Sequence, residues 1–304
     1  MMRVIESIAV TEANLLSSTV PEPDASVGEE TYNPATPYDT GDIVVEDNWA
    51  FESLADTNTN PLPTAPASNE FWLFKGASNR FRPFDLERNT QSITTSPYII
   101  EIQPVVRIQG LAFAGLLGDE LLVEVFDSED TEIFSSTLDL SIRTTTTWSE
   151  YFFDSFRQLT RTAIFNIPPV TNSTIKITIT GTSSVGVSQI LLGDVTSIGK
   201  AEYNTLDDAL DFSRVTRDQF GNTSLSPGRV VPRLVPPIYS EKTSVPSIRA
   251  LRERVAGKVV AWVGLDDEED EYYGALFVIG IWKRFAIDLA HPQNVKLQLE
   301  LENI

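Results

Sequence analysis

The sequence predicts a mainly β protein that combines a small β module, an antiparallel jelly-roll β-sandwich and a C-terminal β-rich domain with one short helix. In residues 175–180, isoleucines alternate with lysine and threonine, and this period of two is typical of a strand with one buried face. Similar short apolar segments, separated by turn residues, recur through residues 98–200. A helical period is strongest in residues 247–258.

The composition limits the class of protein. The chain has 304 residues, of which 41% are hydrophobic and 22% charged, as in globular proteins, and it is too long for one ordinary core. It has no cysteine and one histidine, so disulfides and thiolate metal sites are excluded and a zinc site is disfavoured. We therefore expect no metal and no other cofactor.

The charge disfavours two kinds of partner. A formal net charge of −20 opposes binding to nucleic acid and to anionic membrane surfaces. The sequence lacks an apolar run of about 18 residues, so we expect no membrane insertion. An acidic surface instead favours solubility, or docking to basic partner subunits.

Shifts in composition divide the chain into four segments. Residues 1–30 contain a predicted strand, Arg3–Val10, followed by a polar linker. Residues 31–93 are rich in Pro, Asn, Thr and aromatic residues and predict a small β domain. Residues 94–200 predict the sandwich, and residues 201–304 a β-rich assembly domain.

The C-terminal segment contains the predicted helix. Ser247 is expected to cap its start and Gly257 to end it, while Ile248, Leu251 and Val255 fall on one face. The acidic stretch between the two apolar segments that follow predicts a hairpin.

The last strand is a candidate for assembly. Apolar and charged or polar residues alternate through residues 295–302, which predicts a half-buried strand. Such a strand can pair within its own domain or with a neighbouring subunit. The candidate assembly residues are those of this strand and the preceding hairpin: Trp262, Trp282, Val295, Leu297 and Leu299.

Residues 38–72 contain a candidate sugar site. Tyr38 precedes a Gly-Asp-Ile-Val turn, and Trp49, Phe51 and Trp72 follow. Exposed aromatic rings can stack on the apolar C–H faces of sugars, with polar groups setting the orientation. The alternative is that Tyr38, Phe51 and Trp72 form the core of the small domain. Trp49, at a turn, is the better candidate for an exposed ring.

This arrangement resembles the small chitin-binding type modules, in which an aromatic residue, a Gly-Asp-Val turn, an aromatic strand, a Pro-containing loop and a closing Trp follow in order. The resemblance covers residues 31–75 approximately and implies binding to a polysaccharide. The middle region ends with Gly193-Asp194 after an apolar run and resembles galactose-binding-like jelly rolls.

Other polar clusters favour ordinary surface roles. Arg80 and Arg82 flank Phe81 and could contact an anion or pair with local acids. The acidic clusters at residues 127–132 and 266–271 lack EF-hand spacing and predict solvated turns. The chain lacks the common nucleophile, zinc and phosphate-binding motifs, so we do not expect an enzyme.

The order of the segments is similar to that of tail proteins of tailed bacteriophages. The resemblance rests on residues 38–54, on the stretch Gly76–Asp85 and on the C-terminal segment that ends in the alternating strand. It implies a virion component of the tail tip or baseplate, such as a distal tail protein, that forms a homo-oligomeric ring, most often six-fold. It also implies contacts with tail tube and tip or hub proteins, and with host surface polysaccharide through the small domain.

Overall fold

A computed structural model of the chain describes residues 1–142, 147–148, 157–202, 204–217, 219–268, 270, 272–290 and 293–304. The protein is mainly β with several sheets and a short helix, which confirms the predicted class. The contacts divide it into two compact units: the barrel unit, Met1–Ile8 with Leu191–Ile304, and the inserted unit, Ala9–Ile190. These boundaries differ from the predicted segments, because the first eight residues belong with the C-terminal part.

In chain order the strands are β1 Met2–Glu6, β2 Leu15–Ser18, β3 Glu29–Thr31, β4 Ile43–Glu46, β5 Trp49–Ser53, β6 Trp72–Ala77, β7 Ser92–Thr95, β8 Tyr98–Ile102, β9 Gly110–Ala114, β10 Glu120–Phe126, β11 Glu132–Asp139, β12 Ser141–Ile142, β13 Arg157–Gln158, β14 Arg161–Ile164, β15 Thr174–Thr180, β16 Ser184–Val187, β17 Gln189–Gly193, β18 Val195–Ala201, β19 Leu206–Asp211, β20 Arg214–Arg217, β21 Thr223–Ser226, β22 Val230–Val235, β23 Pro237–Glu241, β24 Val260–Val263, β25 Phe277–Asp288 and β26 Asn294–Asn303. Short 3-10 helices lie at Ala25–Val27, Arg82–Phe84 and Lys242–Ser244.

The barrel unit contains a closed antiparallel sheet. Its strands follow in the order β26, β23, β18, β1, β24 and β25, and β25 pairs again with β26 to close the ring of strands. Closure leaves none of these six strands as a free edge, because each has a partner on both sides. The predicted hairpin of β24 and β25 is confirmed.

The barrel has one apolar core. In β26, Val295, Leu297, Leu299 and Leu301 are buried and the intervening residues are partly or fully exposed, which confirms the predicted alternation. The core is completed by residues from the other strands and the helix: Met2, Val4, Ile198, Leu234, Ile238, Ile248, Leu251, Val255, Val260, Trp262, Val278 and Phe285.

The helix of this unit, Val245–Arg254, buries Ile248 and Leu251, as predicted. The predicted start was wrong. Ser247 lies inside the first turn, where its Oγ donates to the Ser244 carbonyl at 2.8 Å. Pro246 explains the earlier start, because proline is well tolerated in the first turn of a helix. The last helical turn is followed by Gly257, whose φ of +70° is left-handed.

The inserted unit has the features of a β-sandwich. One antiparallel sheet has the order β11, β10, β15, β8 and β2. Alternate residues of β8, β10 and β15 are buried on one face, while Lys176 and Glu124 pair on the other at 3.3 Å. The chain leaves this sheet after β8 to form the fully buried β9, which pairs with β14, and returns to it at β10 and β15.

A separate four-stranded sheet, with the order β3, β4, β5 and β6, forms the small β module of this unit. The stretch preceding it is not the predicted linker. Glu29 begins β3, and its side chain is buried together with that of Asp24. Glu29 accepts hydrogen bonds from the backbone N–H groups of Asp24 and Asn79, at 3.1 and 2.8 Å, so this stretch is tied into the unit.

A long hairpin extends from the barrel sheet. Strands β19 and β22 pair along residues 206–211 and 230–235, and β20 and β21 continue the hairpin toward its turn. We call residues 206–235 the arm. It is attached to the barrel through β22, which pairs with β26 at two positions, Arg233 with Glu302 and Leu234 with Leu301.

Candidate functional site

Three of the four predicted sugar-binding rings belong to the core of the small module. Tyr38, Phe51 and Trp72 are 3%, 2% and 0% exposed, and they pack with Val44. The Tyr38 and Trp72 rings meet edge to face with centroids 5.6 Å apart, and Trp72 Nε1 donates to the Asn60 carbonyl at 2.9 Å. Burial therefore supports the core interpretation for these three residues, since a sugar needs an accessible ring face.

Trp49 is different, because 38% of it is exposed. It is the first residue of β5 and directly follows a turn in which Asp47 and Asn48 have left-handed φ angles of +51° and +70°. Its ring centroid lies 5.4 Å from that of Phe74, which supports one side of the indole. The tight turn and this contact fix the ring at the surface.

The Trp49 cavity is an open cavity of about 190 Å³ beside this ring. Its lining combines aromatic and aliphatic residues with two acidic residues. The lining residues are Val10, Thr11, Asp47, Asn48, Trp49, Ala77, Phe81, Phe84 and Asp85. The sequence analysis singled out the stretch Gly76–Asp85 because of its arginines. The residues of this stretch that line the cavity are instead Ala77, Phe81, Phe84 and Asp85.

Asp85 is the most perturbed carboxyl group of this cavity. Burial raises its pKa to about 6, although hydrogen bonds from Glu87 N–H and the Thr90 hydroxyl, at 2.8 Å each, oppose the rise. Asp85 therefore remains mostly ionised at pH 7 and loses its charge in mildly acidic solution.

The two arginines of this stretch have local partners. Arg82 Nη2 lies 3.6 Å from Glu29 Oε1, and Arg82 Nη1 donates to Asn79 Oδ1 at 3.3 Å. The Arg80 guanidinium lies 6.0 Å from the centroid of the Phe81 ring. For Arg82 the structure bears out pairing with local acids.

The predicted assembly residues lie inside the barrel unit. Trp262, Val295, Leu297 and Leu299 are at most 1% exposed, and Trp282 is partly buried against the same core. Of the two pairings predicted for the last strand, the structure shows the one within its own domain, because the three strands that pair with β26, namely β22, β23 and β25, all belong to the barrel unit and the apolar face of β26 fills the barrel.

The arm, by contrast, exposes apolar residues that the sequence analysis missed. Every residue of β20 and β21 is exposed. Val215 and Leu225 face each other across the hairpin and are 56% and 64% exposed, and Phe212 and Phe220 are 63% and 80% exposed. Apolar alternation is weak here, so the signal available in the sequence was the pair of aromatic residues among turn and charged residues.

Charge also distinguishes the arm. Arg214 and Arg217 are exposed in β20, and Arg229 is exposed opposite Phe212, while the exposed acids Asp207, Asp208 and Asp211 precede them in β19. Strands β20 and β21 themselves contain two arginines and no acidic residue, which suits them to an acidic partner surface.

No family model and no curated protein matches the chain. The function of the site therefore has to be inferred from its own residues. Within the described part of the chain, no three His, Cys, Asp or Glu residues are grouped so as to hold a metal ion. None of the helices that the structure describes has the length and apolar character needed to cross a membrane.

Proposed function

We propose that the protein is a structural subunit that assembles with copies of itself through the arm. The observation that carries the proposal is a hairpin whose outer strands are exposed along their whole length and bear large apolar side chains. An isolated two-stranded hairpin is marginally stable in water, and an exposed apolar surface of this kind marks an interaction site.

The rest of the molecule suits this role. The closed barrel provides a rigid base for the arm, and Arg233 reinforces the attachment through an ion pair with Glu300 at 2.7 Å. Basic residues on the arm are complementary to the acidic surface of another copy. Head-to-tail contact between different surfaces of identical subunits generates closed rings when the rotation closes.

The sequence resemblance supports a more specific proposal. The ring is a component of a bacteriophage tail tip or baseplate, in the manner of a distal tail protein, and joins the tail tube to tip proteins in the virion. Six-fold symmetry, the partner tail proteins and a mechanical rather than enzymatic role follow from that resemblance.

Substitution of the arm's apolar pair tests assembly. Val215→Ser combined with Leu225→Ser should leave the fold unchanged, because both side chains are exposed, and should convert the oligomer to monomers. Light scattering of the purified protein measures the mass. The matched control is Val105→Ser, which removes a side chain that is 82% exposed in the inserted unit. Full assembly of the double variant would contradict the role of the arm.

A second candidate function is binding of a carbohydrate, as a receptor-recognition module for host surface glycans. It is favoured by Trp49, whose partly exposed ring lines a cavity together with other aromatic residues and polar groups. Both functions can belong to one protein, because the arm belongs to the barrel unit and the Trp49 cavity to the inserted unit. A glycan panel read by tryptophan fluorescence, with Trp49→Ala as the control, tests this candidate.

A further inference from the structure

We propose that the Trp49 cavity binds a sugar ring that carries a protonated amine. The inference rests on the second proposed function, carbohydrate binding by the inserted unit. It adds the chemical class of the sugar, and it is argued from the lining of the cavity.

The aromatic side of the cavity suits the apolar face of a sugar. Trp49, Phe81 and Phe84 contribute rings, and Val10 and Ala77 add aliphatic surface. Phe74 supports the Trp49 ring from the side, so the indole is held in place before a ligand arrives. A ring held in this way stacks on sugar C–H groups at a small entropic cost.

The polar side of the cavity suits a cation. Two carboxylate residues, Asp47 and Asp85, are among the lining residues, and neither lysine nor arginine is. One end of the Asn48 side-chain amide, assigned as the nitrogen because it faces only carboxylate oxygens, lies 3.2 Å from an oxygen of Glu22 and 3.2 Å from an oxygen of Glu12, so further carboxylates stand close to this lining residue. An ammonium group gains Coulomb attraction here and can also lie against an aromatic face.

The nearby arginines do not reverse this preference. Arg82 is paired with the fully buried Glu29 carboxylate, and Arg80 lies over the Phe81 ring. A carboxylated sugar would place its charge beside Asp47 and Asp85 and would be repelled. A neutral sugar would gain no charge attraction from Asp47 and Asp85.

The size of the cavity limits the ligand. At about 190 Å³ it is smaller than the roughly 300–1,000 Å³ of sites for drug-sized ligands. It therefore accepts one sugar ring, such as a chain end or a branch of a longer polysaccharide.

The experiment compares glucosamine, N-acetylglucosamine, glucose and glucuronate with the full chain at pH 7, by calorimetry and by tryptophan fluorescence. Glucosamine should bind about tenfold more tightly than the two neutral sugars, glucuronate should bind most weakly, and added salt should reduce the difference. Asp47→Asn should remove the preference for glucosamine, whereas Glu30→Gln, an exposed change of equal charge outside the cavity, should retain it.

The outcomes separate the inference from the function on which it rests. Equal binding of glucosamine and N-acetylglucosamine, lost in Trp49→Ala, would retain sugar binding and overturn the amine preference. Binding of glucosamine that persists in Trp49→Ala would overturn the assignment to this cavity. No binding of any of the four sugars would overturn both proposals.

Discussion

Two aromatic residues of one strand have different roles in the small module. Trp49 follows a tight turn and is 38% exposed, while Phe51, two residues later on β5, is 2% exposed, and the pairing of β5 with β6 shifts in register between Ala50 and Phe51. Residue type and spacing predicted that Tyr38, Phe51 and Trp72 are either core or platform. They could not predict the cavity, because Phe81, Phe84 and Asp85 reach Trp49 from another part of the unit.

Asp85 provides a prediction at the residue scale. Its pKa of about 6 in the folded protein lies above its value in the unfolded chain, near 4. Between these values the folded state holds a proton that the unfolded state releases, so this group lowers stability as pH rises from about 4 to 6. Asp85→Asn should therefore be more stable than the wild type at pH 7, by about 1–2 kcal/mol after allowance for solvent screening.

Chemical denaturation at two pH values tests whether Asp85→Asn stabilises the protein at pH 7. The stabilities of the variant and the wild type should converge at pH 4, where Asp85 is protonated in the folded state, and diverge by pH 7. A variant that is less stable than the wild type at pH 7 would show that the Thr90 and Glu87 hydrogen bonds outweigh the cost of burying the charge.

At the scale of single elements, the period and polarity of the sequence were sufficient to predict strand β26 but insufficient to predict the arm. Alternation in β26 predicted both its strand character and its buried face. Pairing partners were not predictable, because a half-buried strand has the same pattern whether its neighbours come from its own domain or from another subunit. The outer strands of the arm, β20 and β21, lack a buried face, so no alternating pattern marked them.

The β26 strand gives a matched pair of substitutions. Leu297→Asp places a carboxylate in the barrel core and should prevent folding, a loss above about 4 kcal/mol. Lys296→Glu, one residue earlier, faces away from the core, and its Nζ lies 5.7 Å from the Tyr239 ring, so its loss should cost about 1 kcal/mol or less. Thermal unfolding followed by circular dichroism measures the stability of both variants. A folded Leu297→Asp protein would be incompatible with the observed pairing register of β26.

At the scale of the whole molecule, the inserted unit divides the barrel unit in sequence. Strand β1 lies between β18 and β24, far from both along the chain, and it joins these two strands within the barrel sheet. Gly193 allows this approach, because a Cβ there would lie 1.6 Å from the Glu6 carbonyl oxygen. Local patterns could not reveal that the N-terminal strand, observed at Met2–Glu6, and the C-terminal segment share a fold.

This arrangement predicts that the inserted unit can be removed. Ile8 N–H donates to the Leu192 carbonyl at 3.0 Å, so the two points at which the chain leaves and re-enters the barrel unit are adjacent. Replacing residues 9–190 with a short glycine-rich linker should give a folded protein with a cooperative thermal transition. The fragment 191–304 without β1 should not fold, because β18 and β24 lose their common partner. Equal folding of both proteins would refute the closed barrel.

Self-assembly through the arm is the central property proposed for this protein. The direct measurement is the mass of the purified wild-type chain by light scattering, with negative-stain images of the same fraction. We predict a closed ring with a mass several times the 33.7 kDa of one chain, about six times for the expected symmetry, and a monomer for the Val215→Ser, Leu225→Ser variant. A wild-type protein that remains monomeric at all concentrations would contradict the account.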